Sequence, residues 1–273
     1  MQRRLAGLGA VLACTLVSTP MLTSMFIWAQ DMMRHVDLSS PDMTMAEMTR
    51  DQVVAVLSAA SASAPADLSG KRLNGLDLSG LDLSGVDLRA ARLNRTKLMG
   101  TTLERAVLSQ AWLLEADLSG ANLKDATLLG AQLQRAKLDG ADLSGARVAA
   151  DLSGASLVGA SIVNGKLGVD SKNQSMGLMR AVLRSANLKG VNARGADLSR
   201  ADLEFASLVE ADLTGASLTG ALLGGADLTG AIVTGTDFDN ADLVSARLIR
   251  PVGLDAARNL DKAKNLERAQ RDK

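Results

Sequence analysis

A chain of 273 residues with 30 Lys+Arg and 30 Asp+Glu has no net charge to draw it to nucleic acid or to an acidic surface. One Cys excludes an internal disulfide or a cysteine metal cluster, and a single His weighs against a histidine-based metal site or catalytic triad. Two Trp, three Phe and no Tyr mean that any core is built without much aromatic bulk.

Residues 1–30 begin with Arg3 and Arg4, and no charge follows from Leu5 to Gln30. A basic start before an apolar run is the layout of a secretory signal peptide, with Ile27-Trp28-Ala29 as an imperfect cleavage site. The same run is long enough for an uncleaved N-terminal membrane anchor. Both readings predict export, either to the periplasm or to the inner membrane facing the periplasm. Cys14, after Val11-Leu12-Ala13, has a faint likeness to a lipoprotein box, but apolar residues continue beyond it, and it reads as a plain residue of a membrane-seeking segment.

Residues 31–65 read as a linker followed by an N-terminal capping helix. His35 falls in the linker, as a solvated residue. Met45, Met48, Val53, Val56 and Leu57 form a rough apolar stripe over Thr44 to Ala60, and Pro65 closes the segment.

From residue 66 the sequence has a period of five. Sixteen leucines recur every fifth residue from Leu68 to Leu143, and Val148 ends the run. A small residue lies two places before each central residue and is Ala at every such position from Ala106 to Ala146; Asp or Asn often stands between, as in Ala116-Asp117-Leu118-Ser119-Gly120. A period of five is neither helical nor that of a half-buried strand, so this is an internal repeat. Ser-Gly suits a corner, because Gly accepts positive φ, and a chain turning every five residues leaves room inside for Leu with Ala but not for aromatics.

The Ala-(Asp/Asn)-Leu-x-x pattern resembles the pentapeptide-repeat family over about two-thirds of the chain. The resemblance implies an all-β solenoid, a right-handed quadrilateral β-helix with four repeats to a coil of about twenty residues. About nine coils occupy residues 66–250, with short capping helices at both ends. In the first coil Lys71 replaces the small residue, and Leu76, Leu81 and Val86 enlarge it.

Two irregularities interrupt the period. Val148 to Leu152 is one residue short, and Leu167 to Leu183 is sixteen residues, which reads as three repeats plus one. On that reading the errors cancel, Leu68 to Leu248 makes nine turns of twenty, and residues 168–180 form a protruding loop. After Pro251, Leu254, Ala257, Leu260, Ala263 and Leu266 recur every third residue, and residues 251–273 read as a C-terminal capping helix and tail.

Residues twenty apart should stack. Asp77, Lys97, Asp117 and Lys137 then alternate in sign, as do Arg95, Glu115 and Arg135, and Glu104/Lys124, Arg105/Asp125 and Arg184/Glu204 form further pairs. Trp112 follows Arg92 in its column, and like charges meet at Asp67/Asp87 and Arg72/Arg92. No catalytic, cofactor-binding or metal-ligating constellation emerges, since the carboxylates recur as a slot in the repeat and no base lies near the serines.

The expected function is therefore a non-catalytic exported structural or protein-interaction scaffold, with no cofactor and no nucleic acid. The candidate interaction loop supplies Asp170, Lys172, Asn173, Gln174, Met176 and Met179 toward a protein partner. The protein is expected as a monomer or an end-to-end dimer, with membrane attachment through the N-terminal segment as an option. The alternative that the resemblance offers is a DNA-mimicking modulator of a DNA topoisomerase, of the quinolone-resistance type. The neutral charge and the export signal both oppose it.

Overall fold

The computed structural model describes residues 36–61, 64–169 and 180–272. The chain divides into two compact units, Met1–Leu38 and Ser39–Lys273. Only residues 36–38 of the first are described, so the expected signal or anchor, Cys14 and His35 lie outside the described residues. The second unit carries the repeat.

Each five-residue repeat forms one side of a four-sided coil. The small residue and the central Leu point inward, the residue between them points outward, and the last two residues make the corner. In Ala116–Gly120 all five backbone N–H groups have an acceptor. Ala116 closes the preceding corner on Leu113 O (3.1 Å), Asp117 donates to Thr96 O one level back (3.0 Å), and Leu118 and Gly120 donate to Lys137 O (2.7 Å) and Asp139 O (2.9 Å) one level on. The fifth, Ser119 N–H, donates to Asp117 Oδ1 at 3.1 Å.

This last bond explains why Asp or Asn precedes the central Leu. A short side chain with an acceptor oxygen reaches the N–H two residues on, which neither neighbouring coil can satisfy. Asn122, Asn187 and Asp197 fill the slot in the same way for Lys124, Lys189 and Ser199.

The corner residue is left-handed throughout the regular coil: Gly120 has φ 65° and Gly140 φ 66°. That conformation is free for Gly and costs other residues about 1 kcal/mol. Seventeen non-glycine residues among those described nevertheless adopt it, Arg95, Glu115 and Phe205 among them.

Parallel bridges run along four columns headed by Asp67, Arg72, Asp77 and Asp82. Among the described residues the first three columns have ten levels and the fourth has nine. The core is the stack of inward leucines and alanines, almost all with negligible exposure. Thr96, Thr101 and Thr236 replace Ala, and each buried hydroxyl donates to a backbone carbonyl, on Leu73, Leu98 and Leu213 (2.7–2.8 Å).

The N-terminal helix is shorter than its apolar stripe predicted. Helix α1 is Pro41–Thr44, and α2 is Arg50–Ala59. Helix α2 starts where it does because Thr49 and Gln52 form a reciprocal capping box: Gln52 N–H donates to Thr49 Oγ1 (3.3 Å) and Thr49 N–H to Gln52 Oε1 (2.8 Å). Val53 is fully buried in the core and Met43 is buried, whereas Met45, assigned to the stripe, is 61% exposed.

Two asparagines join this segment to the coil. Asn74 Nδ2 donates to Asp42 O (3.0 Å) and Met45 O (3.1 Å), and Asn94 Nδ2 donates to Met43 O (3.1 Å). Their Oδ1 atoms accept Asn94 N–H (3.0 Å) and Leu114 N–H (3.1 Å) one level on.

Three expectations from the sequence are corrected. First, the irregularities do not cancel. Asp151 bridges Val182 directly, 31 residues away, and Ala181 N–H closes a corner on Leu167 O (2.9 Å). The sixteen residues from Leu167 to Leu183 are thus one repeat plus an eleven-residue excursion, not three repeats plus one, and Leu248 lies in the Asp77 column rather than above Leu68.

Second, residues 251–272 contain no α-helix. The coil continues with a period of six, through 3-10 turns at Leu254–Ala256, Leu260–Lys262 and Leu266–Arg268, each following a left-handed Gly253, Asn259 or Asn265. Arg258 and Lys264 bridge back to Asp237 and Asp242, and the parallel pair β1 (Arg247–Leu248) and β2 (Gln270–Arg271) does the same for the third column. The Leu/Ala spacing of three is half of this six-residue period. The extra residue in each repeat is accommodated by the 3-10 turn.

Third, an aromatic does fit inside: Phe238 fills a central position with no exposure. At the next level the residue in register is Asn259, whose Nδ2 donates to Asp237 Oδ1 (2.9 Å).

Candidate functional wall

The six expected loop residues, Asp170, Lys172, Asn173, Gln174, Met176 and Met179, lie outside the described residues. The roots of the excursion are described. Arg180 returns the chain to the Arg72 column, where Val182 donates its N–H to Ala150 O (2.9 Å) and bridges Asp151 and Asp202.

Asp202 is the focus of this wall. Its side chain is 2% exposed, with Arg184 Nη1 at 3.5 Å and Arg180 Nη2 at 3.9 Å from Oδ2. Oδ1 accepts Glu204 N–H (3.2 Å), and Arg184 also pairs with Glu204. The carboxylate thereby ties the returning root of the excursion to the coil. A buried charge has to be paired in this way.

Next to this cluster Phe205 occupies a corner with φ 59° and is 66% exposed. Its ring lies against Gly225, where an added Cβ would come 2.7 Å from Phe205 Cδ1. Val182, Leu222 and Val244 on the same column are half-buried. An exposed aromatic held in a backbone conformation that disfavours bulky side chains is the feature that the coil itself does not require.

The other walls are largely self-paired. Lys97 Nζ lies 3.7 Å from Asp77, and Glu115 is shared by Arg95 (2.9 Å) and Arg135. Bonds from Arg95 and then Arg135 hold the Glu115 carboxyl below the usual range. The Arg184/Glu204 pair forms as expected, and Arg92 and Trp112 are neighbours in the second column. Glu104/Lys124 and Arg105/Asp125 do not form. Arg105 instead pairs with its sequence neighbour Glu104 (3.4 Å), and Lys124 reaches Asp142 (3.1 Å) diagonally across to the next level. Long side chains on a flat wall choose among several partners, so column position alone does not fix the pair.

Among the described residues, no group of three or more His, Cys, Asp or Glu could hold a metal ion. Among them, too, no helix is long and apolar enough to cross a membrane.

The family model for pentapeptide repeats matches residues 66–105, 103–140, 130–167, 178–215 and 206–243, the span over which the coils carry the five-residue period. The chain belongs to the pentapeptide-repeat family. The gap in the match, between 167 and 178, coincides with the excursion.

Among solved structures, this pentapeptide-repeat protein is similar to HetL, a pentapeptide repeat protein involved in heterocyst differentiation regulation from the cyanobacterium Nostoc sp. strain PCC 7120. The two share 32% identity over 75% of this chain and 86% of HetL, with a TM-score of 0.41. It is also similar to full-length QnrB1, a plasmid-mediated fluoroquinolone resistance protein, at 19% identity over 76% of this chain and 91% of QnrB1, with a TM-score of 0.31. A third is Rfr23 from the cyanobacterium Cyanothece 51142, at 28% identity over 46% of this chain and 86% of Rfr23, with a TM-score of 0.22. No curated protein matches the chain.

Proposed function

We propose that this pentapeptide-repeat protein is a non-catalytic, exported interaction scaffold. In this reading a partner protein contacts the Arg72-column wall around Phe205 and the adjoining excursion 168–180. The observation that carries the reading is Phe205 itself, largely exposed at a left-handed corner beside the Arg180–Asp202 root. Exposed aromatics beside charged anchors are the usual energetic centres of protein interfaces. In repeat proteins, moreover, insertions often fall on the face that binds. Export rests on the arginines and uncharged run of residues 1–30. The alternating walls supply no acidic face of the kind DNA mimicry needs, and the low identity to QnrB1 brings no role with it.

The test is a photo-crosslinking amino acid placed at position 205 or, as control, at position 95, in cells expressing the full chain. Crosslinking to one protein species from 205 and not from 95 supports the reading, and equal or absent crosslinking from both overturns it. Fractionation with intact-mass measurement tests export. A cytosolic product retaining Met1 would contradict it.

A further inference from the structure

The first level of the coil presents backbone groups that every interior level has paired. In the Asp82 column, Thr102 shows the interior pattern: its N–H donates to Leu81 O (3.0 Å), its C=O accepts Leu83 N–H (2.7 Å), and Glu104 C=O accepts Gly85 N–H (2.8 Å). At the first level the N-terminal segment supplies substitutes on two sides. Glu47 N–H donates to Arg72 O (2.8 Å), and the Arg50 guanidinium donates to Asp77 O (2.5 Å) and Ser79 O (3.1 Å). On the fourth side, Asp82 N–H, Asp82 C=O and Ser84 C=O have no partner among the described residues, and both residues are exposed.

Two further observations describe what would fit there. A recess of about 370 Å³ lies between the end of α2 and this edge, with Leu57, Ala60, Pro65 and Val86 as apolar lining and Asp82 among its polar residues. The Asp82 carboxylate bonds only within its own repeat, to Ser84 N–H (3.0 Å) and Ser84 Oγ (2.5 Å), and has no cationic partner among the described residues. In the neighbouring column the same position pairs across levels, with Lys97 Nζ 3.7 Å from Asp77.

We propose that the edge Asp82–Val86 is a docking site for an extended segment of a partner protein, laid parallel to it, with a basic residue between a small residue and an aliphatic one. The small residue's C=O accepts Asp82 N–H, and the aliphatic residue's N–H donates to Asp82 C=O. The N–H two residues further on donates to Ser84 C=O. The basic side chain stands opposite the Asp82 carboxylate, and the aliphatic side chain enters the recess beside Leu57 and Val86. This is strand addition to an unpaired edge, in which main-chain bonds give the affinity and the recess and carboxylate select the sequence. The proposal rests on the interaction reading above and adds the chemistry of a second contact, remote from Phe205 in sequence.

The experiment is an NMR titration of the isotope-labelled full chain with an acetylated, amidated peptide copying Ala136–Gly140 (Ala-Lys-Leu-Asp-Gly). The expected result is shifts confined to Asp82–Val86 and Leu57–Ala60, with exchange of the Asp82 amide slowed by about tenfold at saturation. Asp82→Asn keeps the acceptor for the Ser84 N–H and removes the charge, so it should weaken the peptide by about fivefold and leave Tm close to that of the parent. Ala60→Trp keeps every residue of the edge and fills the recess, so it should weaken the peptide similarly, as should Glu in place of the peptide's lysine. Absence of shifts at millimolar peptide, shifts elsewhere, or an affinity indifferent to both protein variants would overturn the proposal. Crosslinking at position 205 is read independently, so the failure of either site is distinguishable from the failure of the other.

Discussion

Asp117 offers a direct probe of what the polar slot does. In Asp117→Ala the Ser119 N–H and hydroxyl lose their acceptor at 3.1 and 2.6 Å, and neither neighbouring coil offers another. The loss is comparable to removing a helix N-cap, about 1–2 kcal/mol. With an m-value of about 2–3 kcal/mol/M, the urea midpoint should fall by about 0.5 M at unchanged m. Asp117 also stands between Lys97 and Lys137 in its column, so the comparison is made in about 1 M salt, where exposed charge pairs are screened. Asp117→Asn keeps the acceptor, as Asn122 and Asn187 do naturally, and should lose less than half as much. Hydrogen exchange at the Ser119 amide gives the local readout, faster in the alanine variant and near wild type in the asparagine variant. If Asn costs as much as Ala under these conditions, the slot serves charge and not hydrogen bonding, and the reasoning fails.

Phe238→Ala should destabilise by about 3–5 kcal/mol in chemical unfolding, since the ring is fully buried in the stack. Gly120→Ala meets no atom within 4 Å and should cost only the left-handed backbone penalty of about 1 kcal/mol, whereas Gly253→Ala should cost more in the same assay, because its Cβ would fall 3.0 Å from Thr234 Cβ and 3.1 Å from Thr234 Cα. The Asp82 carboxyl is held below the ordinary range, first by the hydroxyl and then by the N–H of Ser84. A folded pKa below the unfolded value contributes stability above that unfolded value and loses it as pH falls through the folded one. Thermal unfolding should therefore be flat from about pH 7 to 5 and decline below about pH 4. A decline beginning near pH 6 would contradict this assignment.

The five-residue repeat was legible because most inward positions obey one rule: Leu at the centre and a small residue two places before it. The Asp/Asn slot was visible as a pattern, but its purpose emerged only when the Ser119 N–H was seen to have no acceptor in either neighbouring coil. The capping box Thr49-x-x-Gln52 was present in the sequence and would have placed the start of α2. At the C-terminal end, two strings of similar form, Ala257-Arg-Asn-Leu-Asp-Lys262 and Ala263-Lys-Asn-Leu-Glu-Arg268, carried the six-residue period. A spacing of three between Leu and Ala fits a helix equally well, and only the pairing with Asp237 and Asp242 separates the two. Sixteen residues are likewise three repeats plus one, or one repeat plus eleven, by arithmetic alone. The exposed Phe205 had no periodic signal, because corner residues are free to vary.

The register across the excursion is the most direct test of the coil as described here. Ser156 and Asn187 are bridge neighbours although 31 residues separate them, while Asp117 and Lys137 are neighbours at the regular twenty. With Cys14 replaced by Ser, the pairs Ser156→Cys/Asn187→Cys and Asp117→Cys/Lys137→Cys are oxidised and the disulfide yield is read by intact mass. Neighbouring parallel strands lie about 4.8 Å apart, within the Cα separations that a disulfide spans. Comparable yields from both pairs are the predicted result. A 156/187 pair that stays reduced while 117/137 crosslinks would contradict the continuous four-sided stack.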